Sequence, residues 1–195
     1  MRAQQIVLAA AAAAIVVLLV VGLTQLGGSG EATSTRMTPA QMRAALAGSP
    51  PALAALHDQA GALLPGGLGG VRARLAALRG RPVVVNKWAS WCQPCRAEFG
   101  FFQRVSVAMG RRVAFIGIDS GDSSRAGAAA FLHSFPVSYP SYFDPGGQAG
   151  AAITDSSFTP VTVFYDPAGG EYIHQGPYPS AAKLERDVRR YALGA

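Results

Sequence analysis

The chain has 195 residues, which suits one domain of ordinary size together with additional segments. Its formal net charge is +6, but only 14% of its residues are charged and no cluster of lysine and arginine is interleaved with aromatic residues, so a nucleic-acid-binding role has no support. It contains two cysteines, Cys92 and Cys95, and this small number excludes the framework of several disulfides that holds many small exported proteins together.

The N-terminal region predicts a single membrane-spanning helix. Residues 6–23 contain no charge and no proline, and as a helix they would span roughly 27 Å, close to the thickness of the apolar core of a bilayer. A cleaved signal peptide is the alternative, but residues 24–28 match the small-residue pattern of a cleavage site poorly. With an uncleaved anchor, residues 1–5 form a short cytoplasmic tail and everything after the helix is exported.

The segment after the anchor predicts a linker and then a domain edge. Residues 24–49 are rich in glycine, serine, threonine and alanine and would hold the domain away from the membrane, with a short helix starting after Thr38. The two prolines at residues 50–51 mark the start of a domain that occupies residues 50–195. Several glycines lie between apolar residues within 53–78, which predicts short strands joined by turns and a final helical turn.

Strands and helices alternate in the rest of the chain. Residues 83–88 form a nearly continuous apolar run, typical of a buried central strand, and residues 93–109 predict a helix. Further strands are predicted at 112–119, 141–143, 161–165 and 171–175, and further helices at 125–135, 147–153 and 180–191. This order predicts an α/β fold with a central mixed sheet flanked by helices and an insert at residues 141–153.

The two cysteines are predicted to lie where the central strand ends and the next helix begins. The N-terminus of a helix presents free N–H groups and a partial positive charge, which stabilise a thiolate and lower the pKa of Cys92. Cys95 lies three positions later on nearly the same helix face, so it can attack a mixed disulfide on Cys92 and release the bound partner. We therefore predict a redox pair in which Cys92 is exposed and Cys95 is more buried.

Other uses of a CxxC pair have less support. A structural zinc site needs four ligands, whereas the chain has no other cysteine and its histidines, His57, His133 and His174, are scattered, so no metal and no cofactor is predicted. A thioredoxin-fold copper chaperone would need His133 or His174 beside the cysteines and stays an alternative. An adaptor protein with an incidental CxxC is a third interpretation.

The sequence around the cysteines resembles the signature of the TlpA/ResA-like family. The similarity is densest in residues 79–99, RGRPVVVNKWASWCQPCRAEF, and continues in residues 158–166, FTPVTVFYD, which resemble the cis-proline loop and following strand of that family. Over residues 50–191 the resemblance implies a thioredoxin-like fold. It also implies a bacterial, membrane-tethered protein of a kind that is often a disulfide reductase serving cytochrome c maturation.

The resemblance assigns a substrate-binding surface next to the cysteines. Pro160 corresponds to the cis-proline that faces the redox pair, where a cis X-Pro bond exposes backbone groups that can pair with an extended substrate. An ordinary trans proline at the start of a strand is the alternative. Thr159 precedes this proline, and Trp91, Gln93 and Pro94 surround Cys92; we predict that these residues contact the substrate.

The resemblance also assigns an acid–base residue. Glu98 lies three positions after Cys95, and some family members use a glutamate there to tune the cysteines and move protons; a solvated helix glutamate is the alternative. Asn86 replaces the buried aspartate of thioredoxin, so the proton-transfer task shifts towards Glu98. Trp88 is predicted to be a core residue. Lys87 departs from the family pattern, and it could reach the end of the sheet, pair with Asp119 or influence the thiolates.

Together these features predict an extracytoplasmic thiol–disulfide oxidoreductase on a bacterial cell membrane, anchored by one helix. Its partners would be exported proteins that carry disulfides or dithiols, and a membrane electron donor would keep it reduced. The reducing direction comes from the family resemblance, since the residues between the cysteines do not set the reduction potential. A disulfide-introducing oxidase of the same fold is the close alternative.

Overall fold

The structure is a computed structural model that describes residues 36–195. The predicted tail, the predicted anchor at residues 6–23 and the first part of the predicted linker lie outside the described residues. Within residues 36–195 no helix combines the length and the apolar character needed to cross a membrane.

A mixed sheet of six strands organises the described chain. Its strands are β1 Leu63–Leu64, β2 Val83–Trp88, β3 Ala114–Ser120, β4 Ser141–Asp144, β5 Val161–Tyr165 and β6 Glu171–Gln175. They lie in the order β1-β4-β3-β2-β5-β6, with β1 to β4 mutually parallel and with β5 antiparallel to both β2 and β6. The predicted central strand is confirmed: β2 carries three consecutive valines, and all six of its residues are buried.

Seven α-helices accompany the sheet in the described part of the chain. They are α1 Pro39–Ala45, α2 Pro51–His57, α3 Gly67–Ala77, α4 Gln93–Met109, α5 Arg125–Ser134, α6 Gln148–Ile153 and α7 Ala181–Asp187, the last continued by a π-helical turn at Val188–Ala192. Helix α1 is capped by Thr38 and buries Met42, and the Met37 N–H donates to Oε1 of Gln103 at 2.8 Å. Packing against the domain therefore extends upstream of the predicted edge at residue 50.

The strand β2 separates two apolar layers because its side chains alternate between the faces of the sheet. Val84 and Trp88 belong to the layer under α4, α5 and α7, whereas Val83 and Val85 belong to the layer under α2, α3 and α6. The Trp88 indole meets the Phe99 ring edge-on at 5.2 Å and stacks on Phe131 at 4.9 Å, between ring centroids, which confirms its core role. By the same alternation Asn86 lies on the Trp88 face and Lys87 lies on the other.

The region 53–78 differs from the prediction. It forms α2, the two-residue strand β1 and α3, so the expected series of short strands is wrong. Its glycines serve helix packing as well as turns: a Cβ at Gly70 would lie 2.9 Å from the Tyr142 ring, which shows how closely α3 approaches β4. Gly66, at a positive φ of 109°, caps the start of α3.

Candidate active site

The cysteine pair closes a loop between the end of β2 and the start of α4. Cys92 is the N-cap of α4, and its Sγ accepts a hydrogen bond from the Cys95 N–H at 3.1 Å. Pro94 lies in the first turn, where a residue without an N–H is tolerated. A disulfide joins Cys92 to Cys95, with 5.3 Å between their Cα atoms. The predicted position of the pair at the start of a helix is confirmed.

The predicted exposure of Cys92 is wrong for this disulfide form. Cys92 is 3% exposed and Cys95 is fully buried, and both pack into the layer that contains Trp88. The Cys92 sulfur is bonded to Cys95 and points towards the first turn of α4, so it is turned away from solvent. Trp91, by contrast, is 63% exposed, and Gln93 and Pro94 are exposed as well. These three side chains form the rim over the disulfide.

The cis-proline loop is the second half of the site. The Thr159–Pro160 peptide bond is cis, as predicted. Pro160 is buried, and its carbonyl accepts a hydrogen bond from the Gly176 N–H at 3.0 Å. Thr159 and Trp91 line the same cleft of about 500 Å³. The structure thus brings two of the predicted substrate-binding residues together across this cleft, whereas Gln93 and Pro94 do not line it.

Glu98 is a buried carboxyl group one helical turn after Cys95, not a solvated surface residue. It is fully buried, and its Oε2 accepts a hydrogen bond from the Tyr178 N–H at 2.8 Å, while Oε1 has no partner among the described residues. Burial raises the pKa of Glu98 to about 8, against the opposing effect of the Tyr178 N–H. The carboxyl group can therefore change its protonation state close to neutral pH.

Two further polar groups are buried on the same face of the sheet. Asn86 and the Tyr139 hydroxyl lie close enough to interact, but neither makes a hydrogen bond of normal geometry within the described residues. Burial raises the pKa of Tyr139 well above its usual value, and the charge of Glu98 adds to that effect. Because an amide does not titrate and this phenol stays neutral, Glu98 is the titrating group of this cluster.

A pair of aspartates that sequence reasoning missed lies beneath the CxxC loop. Asp122 accepts two hydrogen bonds from Ser90, one from its backbone N–H at 2.6 Å and one from its hydroxyl at 2.8 Å. Asp119, fully buried, lies opposite Trp88 in the register of β2 and β3. The signal that could have found them is the GIDSGD segment at the end of the second long strand, whose carboxyl end faces the same edge of the sheet as the cysteines.

The two aspartates have opposite pKa shifts. Burial, together with the neighbouring Asp122 carboxyl, raises the pKa of Asp119 to about 9. Burial would also raise the pKa of Asp122, but the Asp119 carboxyl and the two groups of Ser90 outweigh it and hold that pKa below its usual value. At neutral pH the pair consequently carries one negative charge, located on the carboxylate that holds Ser90.

Lys87 does not pair with Asp119, because strand alternation places the two residues on opposite faces of the sheet. Its register partner on β3 is Ile118. Its Nζ donates to the Ser156 carbonyl at 2.6 Å, so the side chain ties β2 to the loop that precedes the cis-proline. Burial lowers the pKa of Lys87, and the nearby Asp144 carboxylate opposes that shift.

The histidines do not gather around the cysteines. Among residues 36–195 no three His, Cys, Asp or Glu side chains are arranged to hold a metal ion. The His174 ring stacks on Tyr178, with 4.1 Å between ring centroids, and His57 lies beside Gly110. The copper-chaperone alternative therefore has no histidine in place among the described residues.

Comparisons with known proteins agree with this geometry. The chain is 31% identical to the thiol-disulfide oxidoreductase ResA of Bacillus subtilis over 101 residues, which are 51% of this chain and 55% of that protein. It is 38% identical to the thiol:disulfide interchange protein DsbE of Escherichia coli over 73 residues, 37% of each chain. The chain thus spans about half or less of the length of the curated relatives that it matches.

Solved structures share the fold. DsbF of Mycobacterium tuberculosis, in mixed oxidized and reduced forms, superposes with a TM-score of 0.55 at 27% identity, covering 59% of this chain and 84% of its own. A secreted disulfide oxidoreductase of the same organism, homologous to DsbE of E. coli, gives a TM-score of 0.53 at 25% identity, with coverages of 58% and 84%. The thioredoxin-like fold and the predicted resemblance to ResA-like proteins are confirmed. The sequence model of the Redoxin family matches residues 50–163, so the chain belongs to the Redoxin family.

Proposed function

We propose that the chain is an extracytoplasmic thiol–disulfide oxidoreductase that reduces disulfides of exported proteins through Cys92 and Cys95. The observation that carries the proposal is the disulfide at the N-terminus of α4, beside a cleft that reaches the cis-proline loop. The names of the ResA and DsbE relatives, which describe disulfide oxidoreduction or interchange, support it.

The proposed reaction starts from the reduced pair. The Cys92 thiolate attacks one sulfur of a substrate disulfide, forms a mixed disulfide and expels the other substrate sulfur as a thiolate. Cys95 then loses its proton and attacks the Cys92 sulfur, which forms the disulfide of the structure and releases the second substrate thiolate. Both substrate thiolates take up protons, and two electrons pass from the cysteine pair to the substrate.

The first turn of α4 gives Cys92 its role as the attacking thiol. The Cys95 N–H donates to the Cys92 sulfur, and the positive end of the helix dipole lies at the same place. Both stabilise negative charge on Cys92 more than on Cys95, which lies within the helix. This arrangement lowers the pKa of the Cys92 thiol in the reduced protein.

Glu98 is the proposed proton acceptor for Cys95. It lies one turn further along the buried face of α4, where Cys95 is also buried and has little contact with solvent. A group with a pKa of about 8 can both take a proton from a thiol and return it near neutral pH. Asn86 cannot perform this task, because an amide does not titrate.

The location and direction of the reaction follow from the sequence predictions. A membrane anchor at residues 6–23 would place the domain outside the cytoplasm of a bacterial cell, where substrates with disulfides or dithiols are available. A dithiol donor in the membrane would then reduce the Cys92–Cys95 disulfide after each turnover. The resemblance to the TlpA/ResA-like family supports the reducing direction and a role in cytochrome c maturation.

The test uses the full chain in detergent micelles with a disulfide-bearing protein substrate. Cys95→Ser is expected to trap the mixed disulfide on Cys92, which mass spectrometry detects, and Cys92→Ser is expected to abolish exchange. Mild-pH alkylation of the reduced protein should label Cys92 first, and preferential labelling of Cys95 would reverse the assignment.

The competing function is that of an oxidase which introduces disulfides. Equilibration with glutathione or dithiothreitol buffers gives the reduction potential of the pair. A value below about −200 mV supports the reductase, whereas a value near −120 mV, typical of a strong oxidant, supports the oxidase.

A further inference from the structure

The cleft beside the disulfide has a buried cation in its wall. The cleft lies between Trp91, next to Cys92, and Thr159, next to the cis-proline. Lys87 also lines it, and this side chain is only 5% exposed, although a lysine usually extends its ammonium group into water. A buried ammonium group in the wall of this cleft is a feature that the proposed exchange reaction does not use.

The Lys87 ammonium group is only partly satisfied by its described contacts. It carries three N–H donors, and one of them binds the Ser156 carbonyl. None of the ion pairs within residues 36–195 involves Lys87. The nearby Asp144 carboxylate is engaged elsewhere, since its Oδ2 accepts hydrogen bonds from the Gly150 N–H at 2.9 Å and from the Ser120 hydroxyl at 3.4 Å.

Lys87 is the buried charged side chain among the residues that line the cleft. Its other polar lining consists mainly of hydroxyl groups, and two of these are already engaged: Thr154 accepts from the Ser156 N–H, and Ser156 accepts from the Phe158 N–H. Asp155 also lines the cleft, but it is exposed, so solvent screens its charge more strongly than that of the buried Lys87.

We propose that this cleft binds the substrate polypeptide beside its reacting cysteine and that Lys87 binds a carboxylate of the substrate there. The enzyme would then prefer substrates with an aspartate or glutamate close to the reacting cysteine. This inference rests on the proposed function, because it describes the substrate of that same reaction.

A carboxylate satisfies Lys87 in a way that the Ser156 carbonyl does not. A buried charge is stabilised when an opposite charge and further hydrogen bonds accompany it, and a carbonyl supplies only one dipole. Burial lowers the pKa of Lys87, and a bound carboxylate would raise it again. The cleft borders Trp91, the neighbour of Cys92, so a side chain of the bound substrate can reach the ammonium group while the substrate cysteine reaches Cys92.

The test compares disulfide-bearing peptides in two pairs, and the members of each pair differ only in having Glu or Gln at one position. That position lies within three residues before the cysteine in one pair and within three residues after it in the other. The full chain in detergent micelles, reduced beforehand, should react with the Glu peptide about tenfold faster in one of the two placements, as expected for a charge-assisted hydrogen bond. Lys87→Met should reduce this ratio to about one, and Lys87→Arg should retain most of it. Lys183→Met, which changes the chain's other lysine on α7, is the matched control and should leave the ratio unchanged.

The ratio of the exchange rates with the Glu and Gln peptides distinguishes binding of the substrate carboxylate by Lys87 from a purely structural role of this residue. If Lys87→Met acted only by losing the bond to Ser156, it would slow exchange with both peptides equally, and that result would overturn the inference. Exchange by the wild-type chain without any preference would overturn it as well and would leave the proposed function intact. No exchange with either peptide would overturn the proposed function and this inference together.

Discussion

Two buried carboxyl groups with raised pKa values, one in α4 and one at the end of β3, differ in their surroundings. Glu98 stands alone, with one hydrogen bond from the Tyr178 N–H. Asp119 has a second carboxyl group, Asp122, beside it, and that neighbour holds Ser90 through two hydrogen bonds. Both groups have raised pKa values, about 8 for Glu98 and about 9 for Asp119.

The difference shows that two carboxyl groups with similar pKa values can have different roles. The pKa of Glu98 is raised chiefly because the carboxyl group is buried, so the proton can leave without disturbing another charge. In the aspartate pair one carboxylate is fixed by its bonds to Ser90, and the other keeps its proton partly because of that charge. We infer that Glu98 exchanges protons, whereas the aspartates hold the loop that leads to Cys92.

The largest expected effect concerns the pH dependence of stability. The folded pKa of Glu98, about 8, exceeds its ordinary value of 4.5, so the folded state keeps a proton that the unfolded chain has lost. Stability therefore falls as pH rises from about 4.5 to 8. With about 1.4 kcal/mol per pKa unit, the loss reaches roughly 4 kcal/mol. Glu98→Gln should remove this part of the fall, which urea unfolding of the oxidised protein at several pH values measures.

The aspartate pair and a surface glutamate provide the controls for that experiment. Asp119 causes a fall of its own that extends to about pH 9, and Glu98→Gln should leave it in place. Glu185→Gln, at a half-exposed pair with Arg189 on the surface, should not change the profile. Parallel profiles for wild type and Glu98→Gln would show that Glu98 does not titrate between pH 4.5 and 8.

The next largest effect is expected at Asp122. Asp122→Ala removes both acceptors of Ser90 and leaves a backbone N–H and a hydroxyl without partners, which should cost about 3 kcal/mol of unfolding free energy. Urea unfolding at pH 7 measures the change. Asp155→Ala, at an exposed aspartate near the same edge, is the matched control and should change stability by less than about 0.5 kcal/mol. Equal effects of the two substitutions would contradict a holding role for Asp122.

A smaller effect should follow from Ser90→Ala. This change removes only the hydroxyl bond to Asp122 and keeps the N–H bond, so we expect a loss of about 1 kcal/mol in the same unfolding experiment. Ser157→Ala, at an exposed serine, serves as the control. A loss as large as that of Asp122→Ala would mean that the hydroxyl bond, and not the N–H bond, holds the loop.

The smallest effect concerns the cysteines of the reduced protein. Ionised Glu98 opposes a second negative charge nearby, so Glu98→Gln should lower the thiol pKa values. Thiolate absorbance against pH measures the change, and the apparent values belong to the coupled group of Cys92, Cys95 and Glu98. Superimposable titration curves for the two proteins would remove Glu98 from the proton-transfer step.

The sequence predicts those elements whose structure depends on residues that are neighbours in the chain. The apolar run of β2, the CxxC at the start of α4 and the strands at 161–165 and 171–175 are all predicted from neighbouring residues. The acid–base role of Glu98 is predicted from the family resemblance, since helix spacing alone also fits a solvated side chain.

The features that the sequence did not predict depend on contacts between distant segments. The bond from Ser90 to Asp122 joins positions 32 residues apart and depends on the register of β2 against β3. Gly70 suits a turn when only its neighbours are considered, and its packing against Tyr142 is visible only in three dimensions. Cys92 is buried in the layer that contains Trp88 and Phe131, and Phe131 is distant from it in the chain.

The alternation along β2 constrains the length of this strand more than its composition. A single inserted residue would exchange the two faces for every side chain after it. The ammonium group of Lys87 would then enter the aromatic cluster around Phe99 and Phe131, and the Trp88 indole would be directed at the loop before the cis-proline. Insertions in β2 should therefore be excluded from functional variants of this protein, even where substitutions among its valines are tolerated.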